Sequence, residues 1–229
     1  MLSTSRLADQ PTTIYLCRHG ESLWNQAGRA QGQSPDAPGL TELGRAQARL
    51  LAERMRRAGV DGLVSSDLRR AVETVAYVGQ ALDLPPVQDP RWREIHLGQW
   101  QGLTRAQVAE RWPETRAAVD HGQDLPRGVD GETYAQLAAR TMQAIADLAR
   151  SHEGRTVCVV SHGGNVRAAL LNLPGALDGL DPRALPVPNT SVTVLRVANG
   201  QAEVVAPPDV SHLDGLATDR LQGNDDESR

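Results

Sequence analysis

Short β-branched runs alternate along the chain with longer segments whose apolar residues recur every three to four positions. The β-branched runs predict strands over 12–17, 62–65, 156–161, 191–197 and 203–206. The helical period predicts helices over 42–58, 67–82, 104–112, 132–150 and 164–173. Thr41 stands where a hydroxyl can cap the first helix, and Gly59 stands where a left-handed residue can end it. Pro85-Pro86 and Pro113 read as helix stops. Strands interleaved with helices indicate an α/β class rather than segregated layers. There is no internal repeat and no interdomain linker. Residues 114–131 show neither period and read as a loop that could act as a lid over a site. One domain over 12–216 is expected, with an extension over 1–11 and a polar, acidic tail over 217–229 expected to be disordered.

Composition narrows the chemistry. The 229 residues carry 24 basic and 28 acidic side chains, a net charge of −4, which argues against nucleic acid or an anionic membrane as the main partner. Every basic residue is Arg, so a lysine phosphate loop and Schiff-base catalysis are excluded. Phe is absent too, and a GC-rich genome explains both gaps. Two cysteines, Cys17 and Cys158, make no disulfide framework and no Cys/His zinc cluster. No apolar run is long enough to span a bilayer, and residues 1–11 lack a signal-peptide core. A cytoplasmic protein is the expectation.

Three polar motifs follow three of the predicted strands. They are Cys17-Arg18-His19-Gly20-Glu21-Ser22, Ser65-Ser66-Asp67-Leu68-Arg69-Arg70-Ala71 and Val160-Ser161-His162-Gly163-Gly164-Asn165. Ligands of open α/β sheets bind beyond the carboxyl ends of the strands. If these strands are parallel neighbours, two histidines and several arginines converge on one pocket. The helix after His162 would aim its free N–H groups there as well. Such a pocket suits a phosphoryl group. Arg-His-Gly alone is only suggestive, His162 alone would pass for a satisfied core histidine, and Arg70 alone for a solvated helix residue. Their joint order at strand ends carries the argument.

With these motifs the chain resembles the histidine phosphatase superfamily, which includes cofactor-dependent phosphoglycerate mutase. The likeness spans about residues 12–213. It rests on Arg18-His19-Gly20-Glu21-Ser22-Leu23-Trp24-Asn25, Gln31-Gly32, Leu40-Thr41-Glu42-Leu43-Gly44, Ser66 to Ala71, Trp92 to Gly102 and Ser161-His162-Gly163-Gly164. The resemblance implies a three-layer α/β/α sandwich around a mostly parallel sheet of about six strands, phosphoglycerate mutase-like. It selects Arg70, not Arg69, as the pocket arginine and Glu94 as the acid. The stretch from Gln33 to Leu40 is slightly longer than the family pattern.

On this reading His19 is the nucleophile, Arg18 and Arg70 balance the phosphoryl charge, and His162 adds a further donor. Asn25, Gln31, Gly32 and the backbone at Gly163 contact the substrate. No metal and no cofactor is called for. His19 needs its second ring nitrogen held by an acceptor such as a backbone carbonyl. Glu94 has to start protonated, which partial burial or the phosphate dianion would favour, and then serves as base toward water.

Other residues are given structural roles. His96 should point away from Glu94 by strand alternation, His121 and His152 should be solvated, and His212 should pack near the site or anchor the tail. Cys17 and Cys158 should be small buried hydrophobes, and Trp92 and Trp100 should pack beneath the acid segment. Asn189-Thr190-Ser191 is a glycosylation sequon without consequence in a protein that is not secreted.

A mutase needs a cage for a second anion. Residues 103–131 hold four arginines against five acids, a net −1, and Gly98-Gln99-Trp100-Gln101-Gly102 resembles the phosphatase branch. Within that branch, Ser65 to Ala71 and Arg93 to Gly102 resemble glucosyl-3-phosphoglycerate phosphatase, too weakly to name a substrate. The expected activity is a metal-independent phosphomonoesterase acting on a small phosphorylated metabolite, of sugar phosphate or phosphoglycerate type. Phosphoglycerate mutase is the alternative, and an inactive phosphate-ligand-binding module the remote one. The oligomeric state is left open, a dimer being one option.

Overall fold

The computed structural model describes residues 10–175, 179, 181 and 183–216. Most of the 1–11 extension and all of the 217–229 tail lie outside them.

Six strands form one sheet. β1 (Thr12–Arg18), β2 (Gly62–Ser65), β3 (Val87–Gln88), β4 (Thr156–Ser161), β5 (Val192–Ala198) and β6 (Gln201–Asp209) are ordered β3-β2-β4-β1-β5-β6. β3, β2, β4 and β1 run parallel, β5 pairs antiparallel with β1, and β6 pairs antiparallel with β5. The three motif-bearing strands are therefore consecutive parallel neighbours, β2-β4-β1.

Strand alternation builds the two faces. Ile14 and Leu16 of β1 and Val157 and Val159 of β4 pack with Ile145, Leu148, Val166 and Leu170. Those partners lie on α6 (Tyr134–Ser151) and α7 (Gly163–Asn172). Cys17 of β1 and Cys158 and Val160 of β4 face the other way, onto Leu51, Met55, Ala71, Val75 and Val78. These belong to α2 (Glu42–Arg57) and α3 (Arg69–Leu82). The result is the expected three-layer sandwich. Thr41 caps α2 through Gly44 N, as its position suggested.

The remaining helices are α1 (Leu23–Gln26), α4 (Arg105–Arg111) and α5 (Pro113–Asp120). Two of them correct the sequence reading. α5 lies inside the stretch read as loop, because Pro113 ends α4 and also starts α5 at its first helical position, where proline costs no hydrogen bond. α1 is a single turn made by the Ser22–Asn25 capping box, too short to leave a period. β3 is likewise a two-residue strand that no pattern could mark. A third apolar cluster, with Ile95, Leu97, Trp100, Val108, Val119 and Leu137, fixes the α4–α5 arm beside the sheet ends. No helix among the described residues is long and apolar enough to cross a membrane.

Candidate active site

His19 follows the last residue of β1 and is fully buried. Its Nδ1 lies 2.7 Å from the Gly20 carbonyl, to which Nδ1–H donates. That bond fixes the tautomer and leaves a lone pair on Nε2, which accepts from Arg70 Nε at 3.1 Å. Burial first, then the Arg70 and Arg18 charges, hold the His19 pKa well below 6.5, so the ring is neutral.

Arg70, in the first turn of α3 and 1% exposed, also donates from Nη2 to the Gly32 carbonyl at 3.0 Å. Gly32 has φ +49°, and a Cβ there would run into the Gln101 side chain and the Leu97 backbone, so glycine is required for the loop to reach Arg70. Arg18, the last residue of β1, donates from Nη1 to the Val187 carbonyl at 2.6 Å. A Cβ on Gly163 would lie 3.8 Å from Arg18 Nε, which places that guanidinium at the start of α7.

His162 precedes α7, and its ring centroid is 5.1 Å from that of His19. Its Nε2 is 2.9 Å from Ser66 Oγ, while Nδ1 is buried without a partner among the described residues. Burial and the nearby Arg70 keep its pKa well below 6.5 too.

Glu94 is 1% exposed. Its Oε1 accepts from Ile95 N at 2.8 Å and its Oε2 from Gly164 N at 3.2 Å, at the N-terminus of α7. A Cβ on Gly164 would overlap Glu94 Oε1, so this glycine permits the close approach of the helix to the acid.

Asn25 and Gln31 meet through Ser22. Ser22 Oγ donates to Gln31 Oε1 at 2.8 Å and lies 3.0 Å from Asn25 Oδ1. Asn189 Nδ2 sits 3.5 Å from Asn25 Oδ1 and donates to the His19 carbonyl at 3.0 Å. All nine residues named from the sequence thus fall into one connected neighbourhood at the carboxyl ends of β1, β2 and β4.

Several supporting residues escaped the sequence reading. Asn189, noticed only as a sequon, ties Asn25 to the His19 main chain, and Thr190 N also donates to the His19 carbonyl at 3.2 Å. Thr190 does so with φ +56°, a conformation rare for a β-branched residue. Arg140 looked like an ordinary helix arginine. It donates to the carbonyls of Arg91, Arg93 and Glu94 at 2.8, 2.5 and 2.9 Å, and its charge is met by Glu132. Arg93 grips Asp67 through two hydrogen bonds of 2.7 and 2.5 Å, joining the acid segment to the loop after β2. Asn165, turned so that its amide nitrogen donates to the Trp92 and Arg93 carbonyls, accepts from Thr141.

The residues given structural roles separate as follows. His96 is half-buried and takes part through its backbone, which exchanges two bonds with Glu132. His121 is exposed, whereas His152 is half-buried at the end of α6. His212 contacts Arg54 of α2 instead of the site, and burial lowers its pKa to about 4. The Cys17 and Cys158 sulfurs are buried, unbridged and 3.9 Å apart. Trp92 and Trp100 are buried on either side of the acid.

The arrangement offers a neutral imidazole, two guanidinium groups, an unsatisfied ring nitrogen and a buried carboxyl group. Among the described residues no three His, Cys, Asp or Glu side chains gather as metal ligands. Known proteins are similar to this chain in sequence and fold. A metal-independent phosphoserine phosphatase of Arabidopsis thaliana is 36% identical over 216 residues, which cover 92% of this chain and 87% of the relative. A probable phosphoglycerate mutase of Enterobacter sp. (strain 638) is 34% identical over 218 residues, 91% of this chain and 98% of the relative. The solved structure of a mycobacterial glucosyl-3-phosphoglycerate phosphatase with VO3 superposes with a TM-score of 0.74 at 34% identity, over 86% of this chain and 99% of that one. The model of the Histidine phosphatase superfamily (branch 1) matches residues 14–209. With the family model and the fold in agreement, the chain belongs to the histidine phosphatase superfamily.

Proposed function

We propose that this enzyme is a metal-independent phosphomonoesterase that hydrolyses small phosphorylated metabolites through a phosphohistidine on His19. The observation that carries the mechanism is the clamp on the His19 ring. Nδ1–H is tied to the Gly20 carbonyl, and the Nε2 lone pair faces the site beside Arg70.

Nε2 attacks phosphorus in line. The bond from phosphorus to the ester oxygen breaks, and that oxygen takes the proton of Glu94, so the alcohol leaves neutral. Arg18 and Arg70 balance the charge spread over the phosphoryl oxygens, and the unpartnered Nδ1 of His162 adds a hydrogen bond to one of them. Glu94, now a carboxylate, takes a proton from water as the water attacks the phosphohistidine. The Nε2–phosphorus bond breaks, inorganic phosphate departs, and Glu94 is protonated again. Asn25, Gln31, Gly32 and the backbone at Gly163 position the ester.

The phosphatase names of the Arabidopsis and mycobacterial relatives support hydrolysis over mutase activity. We also infer a cytoplasmic site of action, since two free thiols 3.9 Å apart suit a reducing compartment. Phosphorus NMR of the enzyme with 3-phosphoglycerate and a trace of 2,3-bisphosphoglycerate, without added metal, tests the reaction. Growth of inorganic phosphate is expected, whereas growth of 2-phosphoglycerate would make the enzyme a mutase.

A further inference from the structure

Glu94 has no regular element to hold it. Residues 93–97 form neither strand nor helix and lie between two single 3₁₀ turns, Pro90–Trp92 and Gly98–Trp100. A proton donor in such a segment needs its reach fixed by other means, because a displacement of about 1 Å is costly to catalysis.

Side chains of α6 and α7 supply those means. All five N–H groups of the Arg140 guanidinium on α6 are engaged. Three go to the carbonyls of Arg91, Arg93 and Glu94, and two to the Glu132 carboxylate at 2.8 Å each. From α7 the Asn165 amide donates to the carbonyls of Trp92 at 3.1 Å and Arg93 at 3.2 Å. The consecutive carbonyls of 91–94 are therefore all received by Arg140 or Asn165. Asn165 is fully buried, and the Arg140 side chain is 18% exposed.

The same helix reaches the carboxyl group. Gly164, next to Asn165, donates its N–H to Glu94 Oε2, and His162 stands immediately before α7. α7 thus holds the acid by main chain and carboxyl alike and ties it to the phosphoryl pocket. The Glu94 carbonyl also accepts from Gln33 Nε2 at 2.9 Å, beside Gly32, whose own carbonyl takes Arg70. Any donor can satisfy a buried carbonyl. Four in a row taken by two planar groups on adjacent helices also fix the direction of the chain at Glu94.

We infer that Arg140 and Asn165 are positioning residues for the acid. Acting through the main chain and not on the substrate, they set how far the Glu94 carboxyl reaches toward the ester oxygen. The inference rests on the phosphomonoesterase reading above, with Glu94 as proton donor.

Leaving-group kinetics test it. Arg140→Lys keeps a charge opposite Glu132 and loses the planar fork. It should lower kcat on alkyl phosphates roughly tenfold and leave aryl phosphate turnover within about twofold, since aryl leaving groups need no proton. In the Glu94→Gln background the same substitution should add no further loss on alkyl esters. Arg150→Gln, exposed at the end of α6, should change neither class. Equal slowing of both classes by Arg140→Lys, or a loss that adds to that of Glu94→Gln, would overturn the inference and leave the acid in place. Asn165→Ser repeats the measurement if a thermal melt shows that Arg140→Lys has lost its fold. If Glu94→Gln itself slows both classes equally, the acid assignment fails and the positioning role with it. Should the enzyme hydrolyse no ester, carbon-13 NMR of the glutamate carboxyls decides, the Glu94 line being identified by its loss in Glu94→Gln. A line displaced in Arg140→Lys and unmoved in Arg150→Gln keeps the positioning role while the proposed reaction fails. A line unmoved in both overturns both claims.

Discussion

The phosphoryl site and the α4–α5 arm are built by different means, although they adjoin. The first is fixed by the ends of three paired strands and the start of α7, and His19, His162, Arg18, Arg70 and Glu94 are all at most 3% exposed. The second rests on its own small apolar cluster and on arginine–aspartate pairs such as Arg116–Asp120 and Arg105–Asp120. On the proposed mechanism, residues that touch the reacting phosphorus need positions set by the sheet, because small displacements are costly to catalysis. Residues on the arm can vary without disturbing that frame.

Substitutions can pull the two regions apart. The largest effect is expected from His19→Ala, which should lower kcat on every ester alike by at least about a thousandfold, since a covalent route loses its nucleophile. A retained near-normal turnover would remove His19 from its role. Glu94→Gln should slow alkyl phosphates by about a hundredfold while sparing activated aryl phosphates, whose leaving groups need no proton. Steady-state kinetics across a leaving-group series reads this, and equal slowing throughout would count against the acid.

A milder change separates the arm. Val119→Ala empties part of the cluster under α5 and should cost about 1–2 kcal/mol by lost apolar burial. Urea unfolding measures that cost, and KM for alkyl esters should rise a few-fold while aryl phosphate turnover stays near its original rate. If both substrates suffer equally, the arm and the chemistry are not separable.

The smallest effect concerns pH. The folded pKa values of His19 and His162 lie well below 6.5, and that of His212 near 4. The unfolded chain therefore takes up protons first as pH falls through 6.5, so stability present above that value declines from there downward. The His19 lone pair survives the same window. Between pH 7 and 5 the melting temperature should drop, while kcat on an aryl phosphate shows no inflection at 6.5. A kcat that fell with a midpoint near 6.5 would mean the ring is not held neutral.

The difference between the regions also governs how much the sequence discloses. The phosphoryl site was legible because its residues follow strands in short contiguous motifs, and parallel order brings strand ends together. Glu94 depended on resemblance, for no strand or helix of its own marks it. The arm was not legible. Pro113 reads as a stop although it also starts α5, and a summed charge says nothing of Arg105, Arg116 and Arg127 lying around one cavity. Arg140 and Asn189 show a further limit, since each acts on backbone carbonyls brought near only by the tertiary fold, at sequence separations up to 49 and 170 residues.

The strand order has a consequence for how the chain acquires this site. β1, which delivers Arg18 and precedes His19, pairs only with β4 and β5, whose residues begin at 156 and 192. As the chain leaves the ribosome, most of its length is made before either edge of β1 finds its neighbour. Ile14, Leu16 and Cys17, all fully buried at the end, have no sheet to enter until then. Such distant pairings carry a large loop-closure entropy and slow folding. The site at the end of β1 is therefore completed only after β4 and β5 have been made, however early its own residues are synthesised.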